Sequence, residues 1–289
     1  MATAPGEDPV ASAWARVAIV AEVELAEVVA DLLWQAGAAG VEEQDVDGGT
    51  RLIGGFEQRT DAAGACVTAE RMGLVAEVLE VDDDGLDAWR AWAAPERAGR
   101  FWVTPPWVDA PSTGPGEEVL WIDPGRTFGS GSHPTTRLVL ALLDELVAPG
   151  ASVLDVGCGS GVLAVGAARC GAGSVVATDI DPGAPAATVA NAERNGVAGS
   201  ITATDRPLAD LAADGRTYDV VLGNLLAPVI VELGAALVAC TAPDGVLVVS
   251  GLLEDRWEAT MPALAPLVPV AVVADDGWVA VRLTRGGGR

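Results

Sequence analysis

The chain has 289 residues, half of them apolar, which is enough material for about two domains with sizeable cores and excludes a disordered chain. Its 41 acidic and 17 basic residues leave a net charge of −24, and every basic residue is Arg. That balance excludes the basic surface that drives nucleic-acid binding; it suits either a positively charged partner or a plain solubility charge.

The start of the chain, residues 1–12, is acidic and polar, so no signal peptide is expected there. No stretch of 18 apolar residues is free of charge, so no membrane span is expected. Cys66, Cys158, Cys170 and Cys240 form no C-x-x-C pair, and the chain has one His. A zinc site is therefore not expected, and the thiols read as small buried side chains in a reducing, cytoplasmic setting.

Residues 14–81 alternate as β-α-β-β-α-β. Strand-like runs are Trp14–Val20, one beginning at Ala38–Val41, Arg51–Phe56 and Leu74–Val81, with helices at Glu24–Gln35 and around Asp61–Met72. The order fits a small ferredoxin-like α+β domain. This first domain is expected to end near residue 94. Residues 95–118, rich in proline, read as a linker, preceded by a short helix at Leu86–Ala93 carrying Trp89 and Trp92. Trp89 and Trp92 read as packing anchors, and Trp107, which follows two prolines, as a docking residue at a domain boundary.

Residues 119–289 form the second expected domain. Strands are predicted at Ser152–Val156, Ser174–Asp179, Ile201–Ala203, Tyr218–Gly223, Gly245–Ser250, Val268–Val273 and Trp278–Leu283. Helices fit Thr135–Val147, Val162–Arg169, Ala184–Asn195, Pro228–Val238 and Glu254–Leu264. The alternation implies a parallel sheet covered on both faces. Only Ala274–Gly277 joins the last two strands, which makes them an antiparallel hairpin. A seven-stranded, Rossmann-like α/β sheet ending in such a hairpin resembles class I methyltransferases.

The chemistry concentrates in four segments. The first is Val153-Leu154-Asp155-Val156-Gly157-Cys158-Gly159-Ser160-Gly161, a buried strand running into a glycine loop. Such glycines allow positive φ and let a ligand lie against bare backbone beyond the strand ends. The second is Asp179, 22 residues after Gly157, at the end of the next strand. A carboxylate there can accept both hydroxyls of an adenosine ribose. Asp181, before Pro182, reads as a helix N-cap. Glycine loop and acid together fit S-adenosylmethionine (AdoMet) or NAD. The G-x-G-x-G spacing, Asp155 just before it and the hairpin favour AdoMet. Asp155 can order the methionine end of that cofactor or bond the loop backbone.

The third segment holds Asn224 at the end of the fourth strand. Its amide can hold an incoming amine or simply make a turn. The fourth is Asp123-Pro124-Gly125-Arg126-Thr127-Phe128-Gly129-Ser130-Gly131-Ser132-His133-Pro134-Thr135-Thr136. This run closely resembles the F-G-T-G-x-H-P-T-T signature of the ribosomal protein L-eleven methyltransferases, the PrmA family. Asn224-Leu225-Leu226-Ala227 is similar to that family's N-I-L-A, and Ile180-Asp181-Pro182 to its I-D-P. Asn191-Ala192-Glu193-Arg194-Asn195-Gly196 is similar to its N-A-x-x-N-G. The N-terminal unit resembles the family weakly, through Trp14, Gly37-Ala38, Trp89, Trp92 and Pro106-Trp107.

The resemblance implies an AdoMet-dependent protein N-methyltransferase acting on lysine side chains and the N-terminal amine of that ribosomal protein. It implies cofactor contacts at Thr136, Gly157, Asp179 and Asn224, to which the reading of the glycine loop adds Asp155, Gly159 and Gly161. Catalytic roles fall to Asn224 and to Ser130, which stands where the family has Thr. It further implies a small N-terminal domain that recognises the substrate and swings on the linker. Arg126 departs from the family's apolar residue. Leu225 and Leu226 replace the two prolines that follow this Asn in adenine- and glutamine-modifying enzymes, which argues against a planar base or amide substrate. His133 reads as a turn-former before the Pro134 helix start, with a general base as the competing role. Two other functions compete: methyl transfer to a different protein lysine or small amine, and a nucleotide-binding module without catalysis.

Overall fold

In the computed structural model the described residues are 15–286 except 23–24, 39, 47, 57–58, 80–92 and 126–130. Trp14, the expected helix at 86–93 with Trp89 and Trp92, Arg126 and Ser130 lie outside them or nearly so, with only Ala93 described. The chain divides into two units, Met1–Trp92 and Ala93–Arg289.

In the first unit, alternating burial along β1 (Ala15–Ala21) turns Val17 and Ile19 inward. Then come α1 (Ala26–Gln35), β2 (Gly40–Val46), β3 (Gly49–Phe56), α2 (Arg59–Arg71) and β4 (Val75–Leu79). The sheet order is β2-β3-β1-β4, with every pairing antiparallel. Val29 and Leu33 of α1, Ala65 and Ala69 of α2, and Leu52 and Phe56 of β3 fill its core. A Cβ at Gly54 would come within 2.9 Å of Leu33 Cδ2, so the missing side chain lets α1 sit close on the sheet.

The expected linker is corrected. Residues 95–118 contribute β5 (Glu96–Ala98) and β6 (Phe101–Thr104), which join β7 (Glu118–Trp121) in a three-stranded sheet within the second unit. Phe101, Val103, Leu120 and Ile122 are buried in the same core as Leu140 and Leu143. Their buried apolar residues anchor these strands; Pro95 precedes β5, and Pro105, Pro106, Pro111 and Pro115 sit in the β6–β7 crossing.

Next come α3 (Pro134–Leu146), β8 (Ser152–Val156), α4 (Val162–Arg169), β9 (Ser174–Thr178), α5 (Ala184–Arg194), β10 (Ile201–Thr204) and α6 (Leu208–Ala213). The chain continues through β11 (Tyr218–Asn224), α7 (Ala227–Cys240), β12 (Thr241–Leu253), β13 (Leu267–Asp275) and β14 (Trp278–Arg285). Among the described residues seven strands form one sheet, ordered β10-β9-β8-β11-β12-β14-β13. All pairings are parallel except those of β14, which runs antiparallel to β12 and β13. Successive residues of β8 face opposite cores: Val153 joins α3, α4 and α5, and Leu154 joins α6 and α7. Residues 254–264, expected as an α-helix, are instead a 3₁₀ helix over Trp257–Leu264 with Pro262 inside it. Proline lacks the N–H that an α-helix interior requires.

The order reverses between β8 and β11. In a doubly wound sheet that switch point opens a crevice beyond the carboxyl ends of the strands.

Candidate functional site

Gly157, Gly159 and Gly161 leave the end of β8 with φ of 71°, 49° and 78°, all left-handed. A Cβ at Gly157 would overlap the Leu225 side chain, and one at Gly161 would lie 2.7 Å from Thr188 Oγ1. The loop is held by its neighbour: the N–H groups of Gly157 and Cys158 donate to the Thr178 carbonyl at 2.8 and 3.1 Å. Gly159 N–H donates to Asp179 Oδ2 at 2.8 Å. Asp179 Oδ1 also accepts the N–H of Asp181, at 3.0 Å. Asp179 thus closes the glycine loop, and its remaining lone pairs are available to a ligand.

Asp181 does not cap α5. Its Oδ1 accepts the Gly183 N–H at 2.8 Å, and Gly183 stands at the helix start without a side-chain cap. The carboxylate makes a local Asx turn that delivers the chain to Ala184. Between the two acids, Ile180 is 89% exposed, an apolar surface beside Asp179 that the spacing argument did not single out.

Asp155 is fully buried. Its Oδ2 accepts the Ala164 N–H at 3.0 Å, while Oδ1 is a buried oxygen without a hydrogen-bond partner. Burial pushes its carboxyl up to about 7; the Asp179 charge adds to the rise and the Ala164 N–H opposes it. An acceptor left in this condition suits a hydrogen-bond donor or a cation. The Cys158 thiol, pushed up to about 12 chiefly by burial and then by Asp155, stays protonated and is no nucleophile. Among the described residues no cluster of His, Cys, Asp and Glu could hold a metal.

Asn224 ends β11, next to the glycine loop because Gly223 pairs with Val156. Its Nδ2 donates to Thr136 Oγ1 at 3.3 Å, joining two candidate residues 88 positions apart. Leu226, at the start of α7, is 67% exposed. Thr136 is held in the first turn of α3, where its N–H donates to the His133 carbonyl at 3.0 Å. His133 is the N-cap residue of that helix, with Pro134 following in the first turn. Its Nδ1 accepts the Thr135 N–H at 3.4 Å, and its ring meets Trp278 edge-on at 5.0 Å. Burial, then Arg137, lowers its pKa and favours the neutral ring. Arg137 Nη1 donates to the Ser132 carbonyl at 2.6 Å and Nη2 to Asp275 Oδ2 at 2.7 Å, which ties the signature run to the terminal hairpin.

The fold therefore brings Thr136, Asp155, Gly157, Gly159, Gly161, Asp179 and Asn224 to one edge of the sheet. Ser130 lies outside the described residues. Asn191 and Asn195, read from sequence only as part of the N-A-x-x-N-G run, take on a role that the sequence did not assign. One helical turn apart, in α5 and at its C-cap, they bond the backbone of Asp123 and Trp121. Their i, i+4 spacing was the available signal.

Residues 70–286 match the profile of the family described as ribosomal protein L11 methyltransferase (PrmA). A ribosomal protein L11 methyltransferase of Cupriavidus metallidurans is 36% identical over 293 aligned residues, covering 91% of this chain and 93% of the relative. One of Dechloromonas aromatica is 34% identical, covering 93% and 98%. The solved ribosomal protein L11 methylase of Lactobacillus delbrueckii subsp. bulgaricus superposes with a TM-score of 0.59 at 29% identity, over 64% of this chain and 95% of that one. A family profile matched over residues 70–286 and a relative 36% identical across most of both chains place this chain in the ribosomal protein L11 methyltransferase family.

Proposed function

We propose that this chain transfers methyl groups from AdoMet to amino groups of ribosomal protein L11, on lysine side chains and at the N-terminal amine. The reading is carried by one observation: Asn224, bonded to Thr136, adjoins the glycine loop that Asp179 closes, at the switch point of the sheet. Two features support the fit of an adenosyl and methionyl ligand. Gly157 leaves bare backbone, and Asp155 keeps a buried acceptor with no internal partner.

In this reading Asp179 accepts ribose hydroxyls, and Asp155 Oδ1 serves the positively charged methionine end. The cofactor, when bound, supplies an electrophilic methyl group on a sulfonium centre. The acceptor must be a neutral amine. A free lysine titrates near 10.4, so losing its proton at pH 7 costs about 4–5 kcal/mol. Exclusion of water and a nearby cation both lower that cost. Asn224 then orients the amine through its side-chain carbonyl, with Ser130 assisting by its position in the signature run. Neither side chain titrates in this range, so the chain contributes positioning rather than a base. His133 serves as a helix cap. The first unit, with its four-stranded ferredoxin-like order, reads the protein substrate.

The test incubates the full chain with methyl-labelled AdoMet and purified L11. Label is expected in lysines and the N-terminal amine of L11. The chain contains no lysine of its own, so lysine-bound label reports the substrate alone. AdoMet binding without any label in L11 would overturn the choice of acceptor, and no AdoMet binding would overturn the whole reading.

A further inference from the structure

Asn191 is 1% exposed and its amide is fully used. Oδ1 accepts the Asp123 N–H at 2.9 Å and the Arg194 guanidinium at 2.6 Å. Nδ2 donates one hydrogen to the Asp123 carbonyl at 2.8 Å and the other to the Ser160 carbonyl at 2.9 Å. Asp123 begins the signature run, and Ser160 belongs to the glycine loop. One buried amide therefore joins the backbone of both loops. Only a primary amide presents two donors and an acceptor in this arrangement.

Asn195 offers an internal comparison. It accepts the Trp121 N–H at 2.9 Å, and its Nδ2 donates to the carbonyls of Trp121 and Asn191, both at 2.8 Å. It makes as many donated bonds as Asn191 but reaches no glycine-loop residue in them. Together the two side chains fasten β7 and the segment after it to α5. Of these two side chains, Asn191 alone reaches the glycine loop, where Thr188 of α5 also donates to the Gly159 carbonyl at 3.3 Å but bonds none of the described residues of the signature run.

We infer that Asn191 is a positioning residue for methyl transfer: it sets the spacing between the cofactor loop and the start of the signature run, so that cofactor and acceptor amine meet at a fixed separation. This rests on the function proposed above. Asn191→Asp keeps the side-chain shape but sets an oxygen against two carbonyl oxygens. Asn195→Asp inflicts the matched lesion without touching the glycine loop.

The experiment uses the full chain and both variants. It measures thermal midpoint, single-turnover transfer to L11 at saturating AdoMet, and backbone hydrogen exchange with and without AdoMet. Asn191→Asp should slow single-turnover transfer at least tenfold, and Asn195→Asp less than threefold. AdoMet should slow exchange at residues 121–125 in the parent and in Asn195→Asp, but not in Asn191→Asp. If Asn191→Asp does not fold, Asn191→Ser, which keeps one donor, takes its place with the same expectation. Equal slowing by the two lesions, a parental rate in the Asn191 variant, or no AdoMet effect at 121–125 in the parent would each overturn the inference. A parent chain that neither binds AdoMet nor modifies L11 would instead bring down the proposed function, and the inference with it.

Discussion

Asp155→Asn separates the electrostatics of the buried carboxyl from its shape. The substitution keeps an oxygen for the Ala164 N–H and removes a group whose carboxyl burial pushes up from 3.8 to about 7. In that window the folded chain holds a proton that the unfolded chain releases, so the parent loses stability as pH rises from about 4 toward 7 and recovers none of it above. Between pH 5 and pH 7 the loss spans two pH units at 1.36 kcal/mol each, or about 3 kcal/mol as an upper value. The amide does not titrate. Its own packing or hydrogen-bonding cost shifts stability equally at every pH. The advantage of Asp155→Asn over the parent should therefore grow by up to about 3 kcal/mol from pH 5 to pH 8, with each kcal/mol worth roughly 2–4 °C of thermal midpoint in a unit of this size. Calorimetric melts of both proteins without cofactor, at half-unit pH steps, measure it. A midpoint difference that stays flat from pH 5 to 8 would refute the reasoning, because it would mean that the Asp155 carboxyl ionises in the folded chain as it does in water. In the same variant, AdoMet affinity at pH 8 should fall about tenfold or more, the worth of a charge-assisted hydrogen bond.

Asp179→Ala removes the acceptor of the Gly159 and Asp181 N–H groups, so AdoMet binding should weaken by about 2–5 kcal/mol in a folded variant, read by titration calorimetry. Asn224→Ala should cut single-turnover transfer more than about tenfold, or 1.4 kcal/mol of barrier. His133→Gln should mainly cost stability, about 1 kcal/mol for an altered helix cap; abolished transfer at an unchanged melting point would restore His133 as a base. A chain beginning at Ala93 should fold and bind AdoMet yet modify L11 poorly. One beginning at Glu117 should be unstable, because it loses Phe101 and Val103 from the core; equal melting points for the two would refute the assignment of β5 and β6 to the second unit.

The doubly wound sheet and most of its helices were legible because the signals are local; the six-residue α6 is too short to show a helical period. Apolar runs of strand length, the 3.6-residue period of helices such as Pro134–Leu146, and the glycines after Val156 each report on a few neighbouring residues. The same holds for Asp179 and Asn224, since the carboxyl ends of parallel strands, here β9 and β11 on either side of the switch point, come to one edge of the sheet. By itself, then, the sequence determined the order of the seven strands β8 to β14 and of most helices between them, the place of the glycine loop and the residue types around it.

The tertiary structure decided the rest. Strands Glu96–Ala98 and Phe101–Thr104 are too short to carry a period, and only the core beneath Leu140 and Leu143 makes them strands. Asp181 became a turn rather than a cap because α5 starts at Ala184, two residues later than a cap at that position would require. Asn191 meets Asp123 across 68 positions, a partnership that no window of sequence contains. Asp155 owes its raised pKa to complete burial in β8, between β9 and β11. Spacing along a chain specifies which groups are available, but the cost of a buried charge and the partner of a buried amide depend on what surrounds them once distant segments have closed over the site.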